Sequence, residues 1–322
     1  MNPVKYGQAK GGMQLNSDVK NLVRKIQRQA QGKHDETAPA NTIKHGGQGF
    51  TFQGQVIRAT RIATVQLCSL AGGVPIRVFE KLSQEQRTAT FNELFEKQGD
   101  RHYMFRFNDD LLIGVVSPNY QRIDNNIMID VIRRAASTLK LVPVKAIISP
   151  EFSFIRMIPE GATEVVHELL PCMSICNREV GLSAFRIMAG IYRLVCSNGL
   201  IVEEKQQNWR WLHYGPNTEV KPDLSEVMYV ANQHVRYLDN TRGRYLSIED
   251  KIQFANSVKR DLGVKVATGF ISAANNSYSG GRDWFCTINA LTAASQSFSP
   301  LKQLEIEEFA GRLLARKEVG LN

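Results

Sequence analysis

The sequence predicts an α+β fold, in which helices pack on a mixed antiparallel sheet and a flexible basic N-terminal arm precedes the domain. Alternating apolar and polar residues, as at 102–107, are typical of half-buried strands, whereas apolar residues at helical spacing dominate after residue 223. The first 48 residues are mostly polar and carry many basic side chains. We therefore expect residues 1–48 to form a partly disordered arm and residues 49–322 to form a single domain.

Composition narrows the class of protein. The 322 residues are 43% hydrophobic and 22% charged, which is typical of a globular protein. No apolar run reaches membrane-spanning length, and the N-terminus lacks the apolar core of a signal peptide, so we expect a cytoplasmic protein with no membrane partner.

The five cysteines are odd in number and sparse, which favours reduced thiols over disulfides or a zinc site. They are Cys68, Cys172, Cys176, Cys196 and Cys286, and we expect Cys172 and Cys176 to be buried in strands.

Excess positive charge is the main compositional signal. The net charge is +9, and residues 1–48 hold eight basic and three acidic side chains. Such a surplus attracts polyanions, above all nucleic acid. Residues 17–31 predict an amphipathic helix that docks on a partner protein, on an acidic membrane surface or on nucleic acid, or that packs loosely on its own domain. Residues 32–49 predict a linker. The apolar stripe of this helix consists of Val19, Leu22, Val23 and Ile26.

Capping and turn residues divide the first half of the domain. Ser83 and Gln86 predict a capping box that opens a helix ending near Gly99. Asp109 and Asp110 are best explained as turn residues between two strands, and not as a metal or acid–base pair. Strands are expected at 74–79, 102–107, 111–116, 141–148, 152–158 and 163–175, and a helix at 124–139.

The stretch from residue 176 to residue 200 predicts one buried helix, around which we expect the domain to be organised. Asn177 suits an N-cap, Asn198 and Gly199 suit a helix end, and the residues between them are mostly apolar. One stripe at helical spacing is polar or small: Glu179, Ser183, Arg186, Gly190 and Arg193. Two interpretations are open for its two arginines. Internal carboxylates or backbone carbonyls pair with them, or the stripe lines a groove and binds a phosphate.

The second half supplies further basic and aromatic candidates. Trp209 and Trp211 alternate with Arg210 in an expected strand at 209–214, where they are either core residues or a surface for stacking bases. Helices are expected at 223–239, 247–262, 285–297 and 300–317, and Ser247 with Asp250 is expected to cap the second of them. The loop at 240–244 carries Arg242 and Arg244, and a mobile loop at 274–283 has Arg282 at its base.

Three stretches of the sequence form a recognisable set of motifs. An asparagine, a glycine, an arginine, a cysteine and an Asn-Gly pair stand within residues 177–200, at Asn177, Gly181, Arg193, Cys196 and Asn198 with Gly199. A Val-Ser-Pro-Asn-Tyr stretch lies at 116–120, and a Trp-Phe-Cys-Thr-Ile-Asn-Ala-Leu-Thr stretch lies at 284–292. Together they resemble the signature, opening motif and closing motif of DUF932, a phage- and plasmid-related family catalogued only as a domain of unknown function. The resemblance spans residues 105–314 and assigns no residue a role. It implies a mobile element of a bacterial host, beside single-strand binding, antirestriction and recombination functions.

Enzyme motifs are missing from the sequence. It contains neither a nucleotide-binding phosphate loop nor a Gly-x-Ser-x-Gly elbow, and its six histidines are scattered. A fold can still assemble a site from distant residues, so an enzyme is not excluded, although we lean against one and expect no cofactor.

We therefore expect a protein that binds single-stranded DNA, or RNA, and anneals strands during recombination. It would form a homo-oligomer and meet a single-strand binding protein. Annealing requires phosphates to be neutralised while base edges stay open. The residues expected to contact nucleic acid are Arg133, Arg134, Arg186, Arg193, Asn198, Trp209, Arg210, Trp211, Arg242, Arg244 and Arg282. The alternatives are a module that inhibits a host defence enzyme and a metal-dependent enzyme acting on nucleic acid.

Overall fold

A computed structural model describes residues 4–5, 12–47, 49–161, 169–193, 198–202, 209–214, 220–277 and 281–315. The strands of these ranges are β1 (Val4–Lys5), β2 (Lys33–Pro39), β3 (Ile43–Gly46), β4 (Gly49–Phe52), β5 (Gln55–Ala59), β6 (His102–Asn108), β7 (Leu111–Val116), β8 (Leu141–Ile148), β9 (Ser153–Pro159), β10 (Leu169–Arg178), β11 (Ser183–Arg193), β12 (Asn198–Val202) and β13 (Arg210–Trp211). The α-helices are α1 (Gly12–Gln31), α2 (Arg61–Leu70), α3 (Ile76–Phe79), α4 (Gln84–Gln98), α5 (Asn125–Thr138), α6 (Leu224–Asp239), α7 (Ile248–Leu262), α8 (Val264–Ser277), α9 (Trp284–Ala294) and α10 (Pro300–Ala315).

The strands form two sheets, which confirms the α+β prediction. The large sheet has the order β1-β8-β9-β10-β11-β12, and β13 also pairs with β11. The small sheet has the order β2-β6-β7-β5-β4-β3. All pairings between the described strands are antiparallel except that of β5 with β7. The described pairings of the large sheet are therefore antiparallel, and the small sheet is mixed.

Helices cover both faces of the large sheet. On one face, α1, α5 and α6 pack on the β-branched and Met side chains of β8 to β11 in one hydrophobic core. On the other face, Leu304 of α10 packs on Phe154, Cys176 and Met188. A third core joins one end of this sheet to α7, α8, α9 and α10. Burying both faces explains why β10 and β11 are apolar along almost their whole length.

The single helix expected at residues 176–200 is wrong. This stretch contains the end of β10, all of β11 and the start of β12. β10 and β11 form an antiparallel hairpin in which Cys176 lies opposite Arg186. Gly181 turns the chain between the two strands with a φ of +75°. A strand buried on both faces has a continuous apolar sequence, and such a sequence cannot be distinguished from a buried helix by periodicity.

The N-terminal segment is integrated into the fold. The amphipathic helix is confirmed, but its stripe lies in the core under the large sheet, where Leu22 and Ile26 are fully buried. The linker expected at 32–49 is wrong for the residues described there, because β2 pairs with β6 along seven residues and β3 pairs with β4. The flexible arm therefore does not extend over residues 18–47.

Most of the remaining elements agree with their sequence signals. Both capping boxes form, at Ser83 with Gln86 and at Ser247 with Asp250. Cys172 is buried in β10, as expected, whereas Cys196 lies outside the described residues. The strand expected at 74–79 is wrong, since this stretch contains the short helix α3. The loop expected from residue 274 is wrong over its first four residues, because α8 continues to Ser277, and residues 278–280 lie outside the described ranges.

Candidate nucleic-acid interface

The two arginines of the expected stripe lie on opposite faces of the large sheet. Side chains alternate along a strand, and Arg186 and Arg193 are an odd number of residues apart in an uninterrupted stretch of β11. Arg186 Nη2 donates to Glu308 Oε1 of α10 at 2.9 Å, and both side chains are largely buried. Arg193 is half-buried near Asn289 of α9. The structure therefore does not bring these two guanidinium groups to one phosphate track.

The tryptophans of residues 209–214 are part of the core. Trp209 is 9% exposed, and Trp211 packs on Phe185 with ring centroids 5.7 Å apart. Arg210 lies between them, is exposed, and pairs in register with Arg186. Of the three residues, only Arg210 is placed to contact a partner.

Three further predicted residues lie on other elements. Arg133 and Arg134 are exposed on α5, and Arg134 Nη2 donates to the carbonyl oxygen of Pro222, just before α6, at 3.2 Å. Asn198 begins β12, where its backbone pairs in register with Arg193. Arg134 therefore links α5 to the segment before α6, and Asn198 belongs to the large sheet.

Two loops that are distant in sequence meet at the C-terminal end of α6. Tyr245 and Asp283 form an isolated antiparallel bridge. Two backbone hydrogen bonds flank it: Leu246 N donates to the Arg282 carbonyl at 3.0 Å, and Trp284 N donates to the Arg244 carbonyl at 3.1 Å. The bridge places the two basic loops of the sequence prediction side by side. We call Arg242, Arg244, Tyr245 and Arg282 the arginine–tyrosine patch.

Asp283 organises the backbone beneath this patch. Its two carboxylate oxygens accept from Cys286 N at 2.7 Å, which caps α9, and from Gly243 N at 3.0 Å. Burial opposes ionisation of Asp283, but these backbone hydrogen bonds outweigh it and hold its pKa below the ordinary value. Gly243 has a φ of +72°, which glycine adopts without strain. A single carboxylate therefore fixes both loops.

The members of the patch differ in how tightly they are held. Arg242 Nε donates to Asp239 at 2.6 Å, and its guanidinium lies 3.4 Å from the centroid of the Phe285 ring. Arg244 and Arg282 are exposed, and Tyr245 is 78% exposed. Sequence reasoning missed Tyr245, although it follows Arg244 directly in the basic loop. That adjacency is the signal that could have identified it.

One signature residue of the family resemblance, Asn177, lies in the interior beside Glu179, where the two sheets meet. Glu179 is 2% exposed, forms an ion pair with Lys33 of β2, and accepts from the backbone N of Asn125 at 2.9 Å. Asn177 Nδ2 donates to the Ile123 carbonyl at 2.8 Å and to Asn125 Oδ1 at 3.1 Å. Burial raises the pKa of Glu179 and lowers the pKa of Lys33, while the charge of each partner opposes its shift. These contacts join β2, the end of β10 and the start of α5.

Sequence reasoning also missed two buried arginines. Arg156 of β9 is fully buried and forms an ion pair with the equally buried Glu307 of α10. Arg106 of β6 is 2% exposed, and its Nε donates to Asp35 of β2 at 2.8 Å. The four residues lie on four different elements, so no spacing in the sequence reveals the pairs.

Two negative findings apply to the part of the chain that the structure describes. In those ranges, no group of three or more His, Cys, Asp or Glu side chains is arranged to hold a metal ion. None of the helices described there is long and apolar enough to cross a membrane.

Comparison with known proteins gives one match. Residues 112–252 match the family model of DUF932, described as a domain of unknown function, which confirms the resemblance over that segment. The matched segment contains Asn177, Glu179, Gly181 and the loop from Arg242 to Tyr245, whereas Arg282 and Asp283 lie beyond it. No curated protein and no solved structure matches the chain.

Proposed function

We propose that this chain, whose central segment is similar to a domain of unknown function, binds single-stranded nucleic acid through the arginine–tyrosine patch. The observation that carries the proposal is the bridge between Tyr245 and Asp283, which places Arg244 and Arg282 on neighbouring loops beside an exposed tyrosine. Guanidinium groups neutralise phosphates, and aromatic rings stack bases without reading their sequence. The patch combines both functions on a backbone held by Asp283.

The four patch residues have separate roles in this proposal. Arg244 and Arg282 contact phosphates, because both side chains are exposed. Tyr245 stacks a base, because 78% of its surface is accessible. Arg242 is already bonded to Asp239 and packed on Phe285, so it supports the loop and adds positive charge to the surface.

The outer face of α6 extends the patch along the protein. Arg236 is exposed near the end of α6, and Tyr229 and Tyr237 are 64% and 44% exposed. Tyr229 and Tyr237 are eight residues apart, so they share one side of the helix. An α-helix of 16 residues is about 24 Å long. Aromatic and basic side chains therefore alternate from α6 into the patch, as a track for a flexible strand requires.

Strand annealing, the role expected from the sequence, is part of the same proposal. A protein that holds phosphates and leaves base edges open is suited to strand annealing, in the cytoplasm of a bacterium that carries a phage or plasmid. A homo-oligomer would lengthen the track, and a single-strand binding protein would deliver the strand. DNA is the primary expected ligand and RNA the alternative.

Binding of a fluorescent single-stranded oligonucleotide, measured by anisotropy over a range of salt concentrations, tests the proposal. Replacing Arg244 or Arg282 by Gln should lower affinity and reduce the slope of log K against log salt by roughly 0.7 for each lost phosphate contact. Tyr245→Ala should cost about 1–3 kcal/mol of binding free energy, the value of one stacked base, and leave the slope unchanged.

The control is Arg77→Gln, which removes the same charge from an exposed position on α3. It should lower neither affinity nor slope. Circular dichroism should show that all four variants keep the fold. If the patch variants bind as wild type does, or if Arg77→Gln has the same effect, the patch is not the interface.

A further inference from the structure

A cleft of about 500 Å³ opens between the small sheet and the hairpin turn of β10 and β11. Its walls come from α2, the end of α4, the start of β6, the end of β7 and the turn at Gly181. Tyr214 forms the remaining wall. Pockets for small molecules have volumes of roughly 300–1,000 Å³, so the cleft is large enough to hold an entire small ligand.

The backbone around the cleft is fixed. A side chain at Gly181 would come within 2.9 Å of Val116, and Gly181 has a positive φ, so the turn requires glycine. The segment before Tyr214 is tied to the preceding loop, because Gln121 N donates to the His213 carbonyl at 2.8 Å and His213 Nδ1 lies 3.1 Å from the Gln121 carbonyl. The residues that border the cleft at Gly181 and Tyr214 are therefore held in place by the surrounding structure.

The polar side chains of the cleft define the chemistry of a ligand. Arg101 is the charged residue among those that line it, and in the described part of the chain no carboxylate shares the lining. Arg101 Nη1 lies 3.4 Å from Gln98 Oε1, so its contact within the cleft is with a neutral amide. A cation beside an amide and without a carboxylate in the same cavity favours an anionic ligand.

Aromatic side chains complete the lining. Tyr103 is half-buried, and Tyr214 is 53% exposed with its ring edge-on to Tyr120 at a centroid distance of 5.9 Å. Rings of this kind stack planar heterocycles. The amide of Gln98 supplies a donor as well as an acceptor, as the polar edge of a base requires.

We propose that this cleft binds a nucleoside phosphate. Arg101 contacts the phosphate, Gln98 contacts the edge of the base, and Tyr103 and Tyr214 pack on its ring. The ligand is either a free mononucleotide or the 5′-phosphorylated end of a strand, since the two share the same chemistry. The cleft is a different site from the arginine–tyrosine patch and does not depend on the function proposed for that patch.

Isothermal titration of the full chain with adenosine 5′-monophosphate tests the proposal. The nucleotide should bind with a Kd below about 1 mM, whereas adenosine and inorganic phosphate should each bind at least tenfold more weakly. Arg101→Gln should weaken nucleotide binding at least tenfold, and Tyr214→Ala should weaken binding of both the nucleotide and adenosine. Arg77→Gln, the exposed control on α3, should leave all three affinities unchanged.

Two further measurements separate the possible results. A short oligonucleotide with a 5′-phosphate should bind more tightly than its 5′-hydroxyl form if strand ends are the ligand, and equally if free nucleotides are. The double variant Arg244→Gln/Arg282→Gln should retain nucleotide binding, so failure of the patch is distinguishable from failure of the cleft. The absence of nucleotide binding, or equal binding by wild type and Arg101→Gln, would overturn the proposal.

Discussion

The arginines of this protein occupy two contrasting environments. Arg156 is fully buried between the large sheet and α10, where Glu307 neutralises it and Ser174 accepts from its Nε. Arg244 and Arg282 project from loops at the surface, beside a tyrosine that is 78% exposed. The first environment joins two layers of the fold, and the second leaves its charge accessible to solvent.

This difference separates charge that maintains the fold from charge that is available for binding. An arginine buried with a carboxylate cannot exchange that partner for a phosphate without leaving a buried, uncompensated charge. A surface arginine stays in contact with water, so binding a phosphate leaves no buried charge uncompensated. Substitutions of buried arginines should therefore change the free energy of unfolding, whereas substitutions of surface arginines should change the salt dependence of binding.

The largest expected effect comes from breaking the buried pair. Glu307→Ala should lower the free energy of unfolding by about 3–5 kcal/mol, because Arg156 would stay buried without its carboxylate. The double variant Arg156→Met/Glu307→Leu should recover most of this loss, since neither charge then needs to be desolvated. Urea denaturation of the three proteins measures the effect.

An exposed pair provides the control. Arg58 and Asp110 have side chains that are 73% and 63% exposed, so Arg58→Met should cost less than about 1 kcal/mol. Equal losses in Glu307→Ala and Arg58→Met would contradict the assigned difference between buried and surface charge.

Substituting Gly199 tests how closely the backbone of β12 packs on Arg156 of the same buried pair. A Cβ atom at this position would overlap the Arg156 guanidinium, so Gly199→Ala must displace the arginine from Glu307. The expected loss is about 1–3 kcal/mol of unfolding free energy, the usual cost of overpacking. Gly46→Ala in β3 has open space for its methyl group and should be neutral or slightly stabilising. If Gly199→Ala is also neutral, the close packing on Arg156 is wrong.

The sequence predicted those elements whose signals are local. Ser83 and Ser247 correctly marked two helix starts, because a capping box involves residues only three apart. The central stretch failed because β11 is buried on both faces, which removes the alternation that distinguishes a strand. The composition of residues 32–49 also misled, since the pairing of β2 depends on β6, which lies about seventy residues away.

The candidate site was predicted in parts only. Arg242, Arg244 and Arg282 were identified as loop arginines, but their proximity depends on the bridge at Tyr245, which links residues about forty positions apart. Other arginines pair with carboxylates from elements that are distant in sequence. Arg186 of β11, for example, pairs with Glu308 of α10. Residue type therefore identified basic candidates, whereas only the fold sorts them into buried and accessible groups.

Arg186 is intermediate between the buried Arg156 and the surface arginines. Its side chain is 15% exposed and bonded to Glu308, so Arg186→Met should cost about 1–2 kcal/mol of unfolding free energy, between the values for surface and buried pairs. The slope of log K against log salt for oligonucleotide binding should not change. A slope reduced by roughly 0.7, with the fold intact, would instead make Arg186 a phosphate contact.

The smallest expected effect concerns the carboxylate beneath the patch. The folded-state pKa of Asp283 is lowered, so its stabilising contribution is fully present above the unfolded pKa of about 3.9 and is lost as pH falls through the lower folded value. Asp283→Asn keeps one oxygen to cap α9 but removes the charge at the start of this helix, and its amide nitrogen cannot accept from Gly243 N, which lies at an exposed position. The substitution should cost about 1 kcal/mol near pH 7. Urea unfolding of both proteins between pH 7 and pH 3 should show this difference shrinking as the pH falls. A difference that grows towards low pH would mean that the carboxylate is not held in its ionised form, and that the two arginine loops are joined by their backbone bridge alone.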